Sequence, residues 1–381
     1  MSHPKSLATF TPEYPADSLE FFPFGENKKR LLIGTYQLLE STDGSASPRD
    51  AQRRIGRIHV CDVVEENEGS AASIVERQRI ETSAIFDIKW SYNKVSGKEL
   101  VGVACAGGAI SVYEATNSNE SSSSSDGADG MDNTGVLSHL CTAQDAGDLE
   151  NTTMCCSLDW SNRLAAENTP RIATSQSDGT VRILEFAESR VETLQGWQAH
   201  DLEAWIAGFD YWNTSVVYSG GDDARLKAWD TRMDPALPIL NSRHHGAGVC
   251  SIQSNFHRQH LLATGGYDET VCVWDTRSMR KPLAELNVGG GVWRLKWHPQ
   301  DPSLLLVAAM YNGFHVLKVD AAIDSAQTTA ATSIQQVSSF MDHESIAYGA
   351  DWCQNHDGGK NGWLVGSCSF YDRSMHLWRQ E

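Results

Sequence analysis

The chain has little of what would place it on nucleic acid, in a membrane or outside the cell. Basic residues are scarce: 31 Lys and Arg stand against 49 Asp and Glu, a formal charge of −18. Such a field repels phosphate backbones, so direct nucleic-acid binding is disfavoured, while a basic protein partner is not. No run approaches the roughly 18 apolar residues of a membrane helix. The opening stretch MSHPKSLATFTPEYP lacks the apolar core of a secretory leader. The expectation is a soluble, cytoplasmic protein with no membrane contact. Nine cysteines are present, an odd number without a C-x-x-C pair. They read as small buried hydrophobes in a reducing compartment, not as a disulfide framework.

Familiar enzyme signatures are missing too. There is no G-x-S-x-G elbow, which excludes an α/β-hydrolase. Gly289-Gly290-Gly291 opens a strand pattern and not a helix, so it is no phosphate loop. His257 and His260 have no further ligands at zinc-site spacing. No cofactor and no metal is expected.

What is present is a repeat. The pattern apolar, x, x, apolar, x, aromatic recurs at Ala16-Leu19-Phe21, Ile85-Ile88-Trp90, Cys155-Leu158-Trp160, Ile206-Phe209-Tyr211, Val292-Leu295-Trp297 and Ala347-Ala350-Trp352. Val249-Ile252-Ser254 is a seventh match without the aromatic. The tightest intervals fit the roughly 40–45 residues of one blade of a WD-repeat propeller. Each match leads into a second strand, a Gly/Asp turn and a third strand. The spacing predicts an all-β, seven-bladed WD-repeat β-propeller. The chain runs out one strand short, and Leu7–Phe10 is predicted to supply that strand and close the ring. Residues 1–381 then form a single domain. Loop insertions are expected at 40–54, 117–134 and 320–332, the serine-rich 117–134 being disordered.

Several polar residues mimic a catalytic triad but belong to the repeat. A turn Asp stands six residues before the third-strand Trp at Asp223 and Trp229, Asp268 and Trp274, and Asp372 and Trp378. With His200, His245 and His343 these predict buried Asp–His–Ser/Thr–Trp hydrogen-bond chains that lock each blade. Asp178 keeps the offset but faces Leu184, so its blade has a weaker network.

Residues at the start of each inner strand line one mouth of the axial channel. Just after the first anchor the pattern places Asp17, Phe86, Cys156, Ala207, Cys250, Trp293 and Tyr348. One position on it places Ser18, Asp87, Ser157, Gly208, Ser251, Arg294 and Gly349, where Asp87 and Arg294 depart from small residues. Glu203 and Trp205 lie nearby, with Tyr36, Tyr267 and Tyr371 in the turns. Aromatic faces attract quaternary ammonium groups, and Arg holds a carboxylate or oxyanion. The rim therefore suits a ligand carrying both a cation and a carboxyl group, although mixed rims of this kind also serve protein docking.

The segments TPEYPADSLEFFP, AIFDIKW, WQAHDLEAWIAGFDYW, VVYSGGDDARLKAWDTR, LATGGYDETVCVWDTR, GGVWRLKWHP, AYGADW and SCSFYD span nearly every blade. Together they resemble the WD-repeat family of diphthine methylesterases, also named diphthine methyltransferases, of diphthamide biosynthesis. The resemblance implies hydrolysis of the methyl ester of diphthine methyl ester on translation elongation factor two, giving diphthine and methanol. Ester hydrolysis suits the sequence better than methyl transfer, because no S-adenosylmethionine-binding pattern is visible. On that reading Trp205, Trp293 and Tyr348 contact the trimethylammonium group and Arg294 polarises the ester. Asp87 or Glu203 activates water. Cys250 or Cys156 as a nucleophile is a further option. The alternative is a non-catalytic scaffold that recruits diphthamide enzymes or another protein.

Overall fold

A computed structural model describes residues 2–25, 29–40, 52–65, 72–116, 136–143, 153–321, 332–354 and 362–381. The regular structure there is all strand, in six sheets of four strands and one of five. The inner strands are Ala16–Phe21, Ile85–Trp90, Cys155–Trp160, Ala204–Phe209, Val249–Ser254, Arg294–Trp297 and Ala347–Trp352, one for each of blades one to seven. No helix among the described residues is long and apolar enough to cross a membrane. Of the expected insertions at 40–54, 117–134 and 320–332, residues 41–51, 117–134 and 322–331 lie outside the described residues, while Glu40, 52–54 and Asp320 at their margins are strand. Blade one extends toward the first of them as a hairpin, Gln37–Glu40 pairing with the start of Gln52–Glu65.

The propeller is closed by its N-terminal strand. Ala8–Phe10 pairs antiparallel with Ser374–Gln380, Phe10 opposite Met375, and completes blade seven. Without this strand the blade would present unpaired N–H and C=O groups along an open edge.

One feature of the repeat differs from the sequence reading. The inner strand of blade four is Ala204–Phe209, so Phe209 and not Tyr211 holds the aromatic position, and the pattern there is Ala204-Ala207-Phe209. Both phases satisfy the alternation; the bulge decides between them. In blades two and five the ladder slips at Phe86 and Cys250, and in blade four it slips at Trp205. Trp205 and Ile206 therefore take the two mouth positions that the pattern gave to Ala207 and Gly208.

Adjacent blades are joined by the same devices repeated around the ring. A second-strand glycine receives the first inner-strand residue of the following blade: a Cβ on Gly34 would sit 2.6 Å from Ile85, and one on Gly265 2.2 Å from Val292. A polar residue in the inner strand then accepts a backbone N–H from the next blade. Ser18 takes it from Ile88 at 3.1 Å, Ser157 from Ala207 at 2.9 Å and Ser251 from Leu295 at 3.0 Å. Between blades lie apolar clusters with fully buried Trp90, Trp160, Trp274, Trp352 and Trp378. Burying one such side chain stabilises the fold by about 1.5–3 kcal/mol or more.

Two blades carry complete hydrogen-bond chains. His200 Nδ1 meets Asp223 Oδ1 at 2.9 Å and its Nε2 meets Ser219 Oγ at 2.8 Å, while Trp229 Nε1 donates to the same hydroxyl at 2.9 Å. His245, Asp268, Thr264 and Trp274 repeat the geometry at 2.9, 2.8 and 2.8 Å. Blade seven departs from it. His343 Nδ1 lies 3.9 Å from Asp372, too far for a hydrogen bond, and the hydroxyls of Ser369 and Ser374 bridge the gap. Trp378 still donates to Ser367, which also meets His343 Nε2. In blade three Asp178 caps only Thr180.

Candidate functional site

In six blades a bulge in the inner strand turns one side chain toward a mouth of the channel, and in blade six Trp293, just ahead of Arg294–Trp297, takes the same place. With blade four in its observed register that column reads Asp17, Phe86, Cys156, Trp205, Cys250, Trp293 and Tyr348. Its aromatic members join into a crescent. The ring of Trp293 lies 4.9 Å from Tyr348 and 5.9 Å from Trp205, centroid to centroid, with Tyr267 within 6.4 Å of both tryptophans. From Tyr348 the contacts continue to Phe370 at 5.3 Å, then Tyr36 at 5.9 Å and Phe86 at 5.3 Å. Trp205 is fixed by its indole N–H, which donates to Asp222 Oδ1 at 3.1 Å. Trp205, Trp293 and Tyr348 are each half-buried, so their faces reach the mouth.

One position deeper, Asp87 and Arg294 form an ion pair across the channel, Oδ1 to Nη1 at 3.0 Å. The second Asp87 oxygen accepts the Leu158 N–H at 3.2 Å, and Lys89 Nζ lies 3.3 Å away. Asp87 thus fills the inter-blade joint that serine fills elsewhere. Burial raises its pKa, but Arg294, Lys89 and Lys296 outweigh it and hold the carboxyl below its ordinary range. An anion so thoroughly paired is a poor base, so the geometry lends no support to Asp87 as water activator; its contacts hold Arg294 and tie blades together.

Asp17, which the sequence places at the mouth without a role, stands out in the structure. It is 3% exposed, and its Oδ1 finds no hydrogen-bond partner among the described residues. Burial pushes the carboxyl up to about 8; Arg294 opposes this and Asp87 adds to it. The signal in the sequence was its place as the one charged residue in the bulge column. Blades seven and one approach closely beside it, since a Cβ on Gly349 would lie 2.8 Å from the Leu19 nitrogen. Tyr348 is near enough that the Asp17 charge adds to burial in raising the phenol.

Glu203 is half-buried on the opposite side of the mouth, where it acts on Cys156. Burial, then the carboxylates of Glu203, Asp178 and Asp17, push the Cys156 thiol up. Burial and Asp222 do the same to Cys250. Each thiol also lies within reach of a backbone carbonyl, Met154 and Gly248 respectively. Neither environment favours a thiolate, so a cysteine nucleophile is not supported.

Below the mouth the channel is acidic and closed by ion pairs. Lys296 contacts Glu20 and lies 3.8 Å from Asp351, which accepts the Phe21 N–H at 2.8 Å. Burial raises Asp351 to about 7 against the pull of Lys296. At the far end the Arg163 guanidinium lies over Tyr92 at 3.6 Å and Phe256 at 4.2 Å. Tyr211 sits here, its hydroxyl donating to Asp159 at 3.2 Å, and takes no part in the mouth.

Elsewhere the described residues offer less. His244, Cys272 and Glu285 place metal-type donor atoms within 4.8 Å of one another on the outside of blade five. The imidazole is already bonded to Glu285 at 2.8 Å, and burial pushes the Cys272 thiol up. A cleft of about 500 Å³ between blades four and five holds Asp210 and His260. Asp210 there accepts the backbone N–H of Trp212 at 2.9 Å.

Comparison with known proteins adds identity to this geometry. The WD domain, G-beta repeat family matches residues 238–275. One chain of a structure titled "Crystal Structure of Mitotic Checkpoint Complex" superposes with a TM-score of 0.64 at 14% identity, over 100% of this chain and 92% of that one. That likeness concerns the fold alone. Diphthine methyltransferase of Homo sapiens is 39% identical over 360 residues, 91% of this chain and 74% of that protein. Its Mus musculus counterpart is 40% identical over 346 residues, 89% and 68% of the two chains. A Dictyostelium discoideum homolog is 31% identical over 394 residues, covering 96% of each. At that extent of similarity the chain belongs to the diphthine methyltransferase family.

Proposed function

We propose that the protein hydrolyses the methyl ester of diphthine methyl ester on translation elongation factor two, releasing methanol and leaving diphthine. The observation that carries the reading is the joining of Trp205, Trp293 and Tyr348 into one aromatic wall beside Arg294 and an unpartnered buried carboxyl. The substrate side chain carries a quaternary ammonium and an ester a few bonds apart, and the mouth offers complementary chemistry to each. The aromatic faces hold the cation, each contributing roughly 0.5–2 kcal/mol. Arg294, held in place by Asp87, turns its remaining N–H groups toward the ester oxygen and stabilises the oxyanion of a tetrahedral intermediate. Glu203 lines the approach and adds to a negative field that draws in the cation. The relatives' names contain the word methyltransferase; the acid-base groups assembled at the mouth support hydrolysis instead.

The experiment is methanol release from methylated elongation factor two by the purified chain, with Arg294→Lys and Trp293→Ala alongside. Stoichiometric methanol from the unaltered chain, with kcat depressed in Arg294→Lys and KM raised in Trp293→Ala, is the expected result. Tight binding of the factor without methanol would instead make the protein a scaffold of the pathway.

A further inference from the structure

Hydrolysis needs a base, and the two acids expected to serve are poorly placed: Asp87 is paired on both oxygens, and Glu203 stands across the mouth beside Cys156. Asp17 has the complementary properties. It sits in the same bulge column as Trp293 and Tyr348, on the blade that follows Tyr348 in the ring. Its Oδ1 is buried without a hydrogen-bond partner among the described residues, and a buried acceptor of that kind is uncommon unless something uses it.

We propose that Asp17 is the general base of the reaction, near both Tyr348 of the aromatic wall that holds the ammonium group and the Arg294 guanidinium that receives the oxyanion. The assignment rests on the esterase reading above. A water molecule gives its proton to the Asp17 carboxylate as its oxygen bonds to the ester carbonyl carbon. The carbonyl electrons move onto the oxygen facing Arg294. When the intermediate collapses, the C–O bond to the methoxy group breaks and Asp17 returns the proton to it, giving methanol and the free acid. The balance closes with water as the sole co-reactant.

The groups facing Asp17 come from four other blades: Arg294, Asp87, Cys156, and Tyr348 with Cys368. Asp87 is held low and burial pushes the two thiols and the phenol up, but Asp351 deeper in the channel is raised to about 7, so a limb near pH 8 is assigned by its loss in Asp17→Asn. The quaternary ammonium of the substrate does not titrate.

The test is the steady-state methanol assay on methylated elongation factor two across pH 6 to 10, as roughly the span over which a base near neutrality shows its limb. Wild-type kcat/KM is expected to climb with pH through about 8 and then level. Asp17→Asn is expected to lower kcat by about 100-fold to 10,000-fold, leave KM little changed and flatten that limb. Thermal melting of Asp17→Asn at pH 8 is expected to match or exceed wild type, because a neutral amide replaces a desolvated acid. Turnover that survives in Asp17→Asn, or a loss confined to KM, overturns the assignment of Asp17 alone. Absence of methanol from the wild-type protein overturns the esterase reading, and the role of Asp17 with it. Should the variant fail to fold, the wild-type pH profile still decides, a flat profile counting against the proposal.

Discussion

Asp87 Oδ1 and Arg294 Nη1 meet at 3.0 Å across the axial channel, joining blades two and six, which are not neighbours in the ring. Both side chains are almost fully buried. Removing one partner of such a pair leaves an uncompensated charge and typically costs about 3–5 kcal/mol, whereas replacing both is far milder. Arg294→Met and Asp87→Asn should each lower unfolding free energy by about that amount, and the double variant by clearly less than the sum. Denaturant titration of the three proteins measures the coupling. Strictly additive losses would show that the two side chains act independently. Turnover of Arg294 variants therefore has to be expressed per folded molecule.

Acid acts on the fold through its buried histidines. Burial holds His343 down to about 3, and His298 and His315 down to about 4, against an ordinary value of 6.5. For a folded pKa below the unfolded one, the unfolded chain binds the extra proton first. The stability contributed by each neutral imidazole is full above pH 6.5 and is lost as pH falls toward 4 and 3. Asp17 and Asp351, raised to about 8 and about 7, gain stability over the same fall in pH, so the test is a comparison: the midpoint of thermal unfolding should fall less steeply between pH 7 and 4 in His343→Gln than in wild type. An unchanged slope in that variant would locate the acid sensitivity elsewhere.

The hydroxyl that joins two donors in blade four gives a cleaner local prediction. Ser219 Oγ serves both His200 Nε2 and Trp229 Nε1 at 2.8 and 2.9 Å. Ser219→Ala should strand both buried groups and cost about 1–3 kcal/mol for each. Methanol release by the folded fraction should be unaffected, since the chain is a support of the blade. A loss of turnover exceeding the loss of folded protein would mean that this network reaches the site.

How far the sequence reveals this molecule depends on which interactions leave a periodic trace. The inner-strand alternation recurs in every blade and the Asp-to-Trp offset in three of them, because blades solve the same packing problem, and so the architecture and its closing strand were legible. Blade four shows the limit. Ala204-Ala207-Phe209 and Ile206-Phe209-Tyr211 satisfy one pattern equally, and only the backbone slip at Trp205 separates them. That slip moves Trp205 into line with Trp293 and Tyr348, which strengthens the aromatic wall beyond what spacing alone implied. Pairing across the ring has no sequence period at all. Nothing in the linear chain says that Asp87 meets Arg294, so Asp87 looked available while Asp17, left without a partner, was passed over.

The aromatic wall makes a prediction that separates charge from shape. If Trp205, Trp293 and Tyr348 recognise a cation through their ring faces, loss of one ring should weaken binding by roughly 0.5–2 kcal/mol, about 2-fold to 30-fold in KM. Trp205→Ala and Trp293→Ala should therefore raise KM with kcat largely retained. Trp205 requires a control, because its N–H also donates to Asp222 at 3.1 Å. Trp205→Phe keeps an aromatic face and gives up that bond, so it should recover most of the affinity lost in Trp205→Ala. Equal losses in the two variants would assign the effect to the hydrogen bond. The decisive comparison uses two competitive probes of the same shape, a trimethylammonium compound and its neutral tert-butyl analogue. A hydrophobic pocket would hold the neutral probe at least as well, since no cation must leave water. A quadrupole-lined pocket in a field as acidic as this one should prefer the cation, and that preference should shrink in Trp293→Ala.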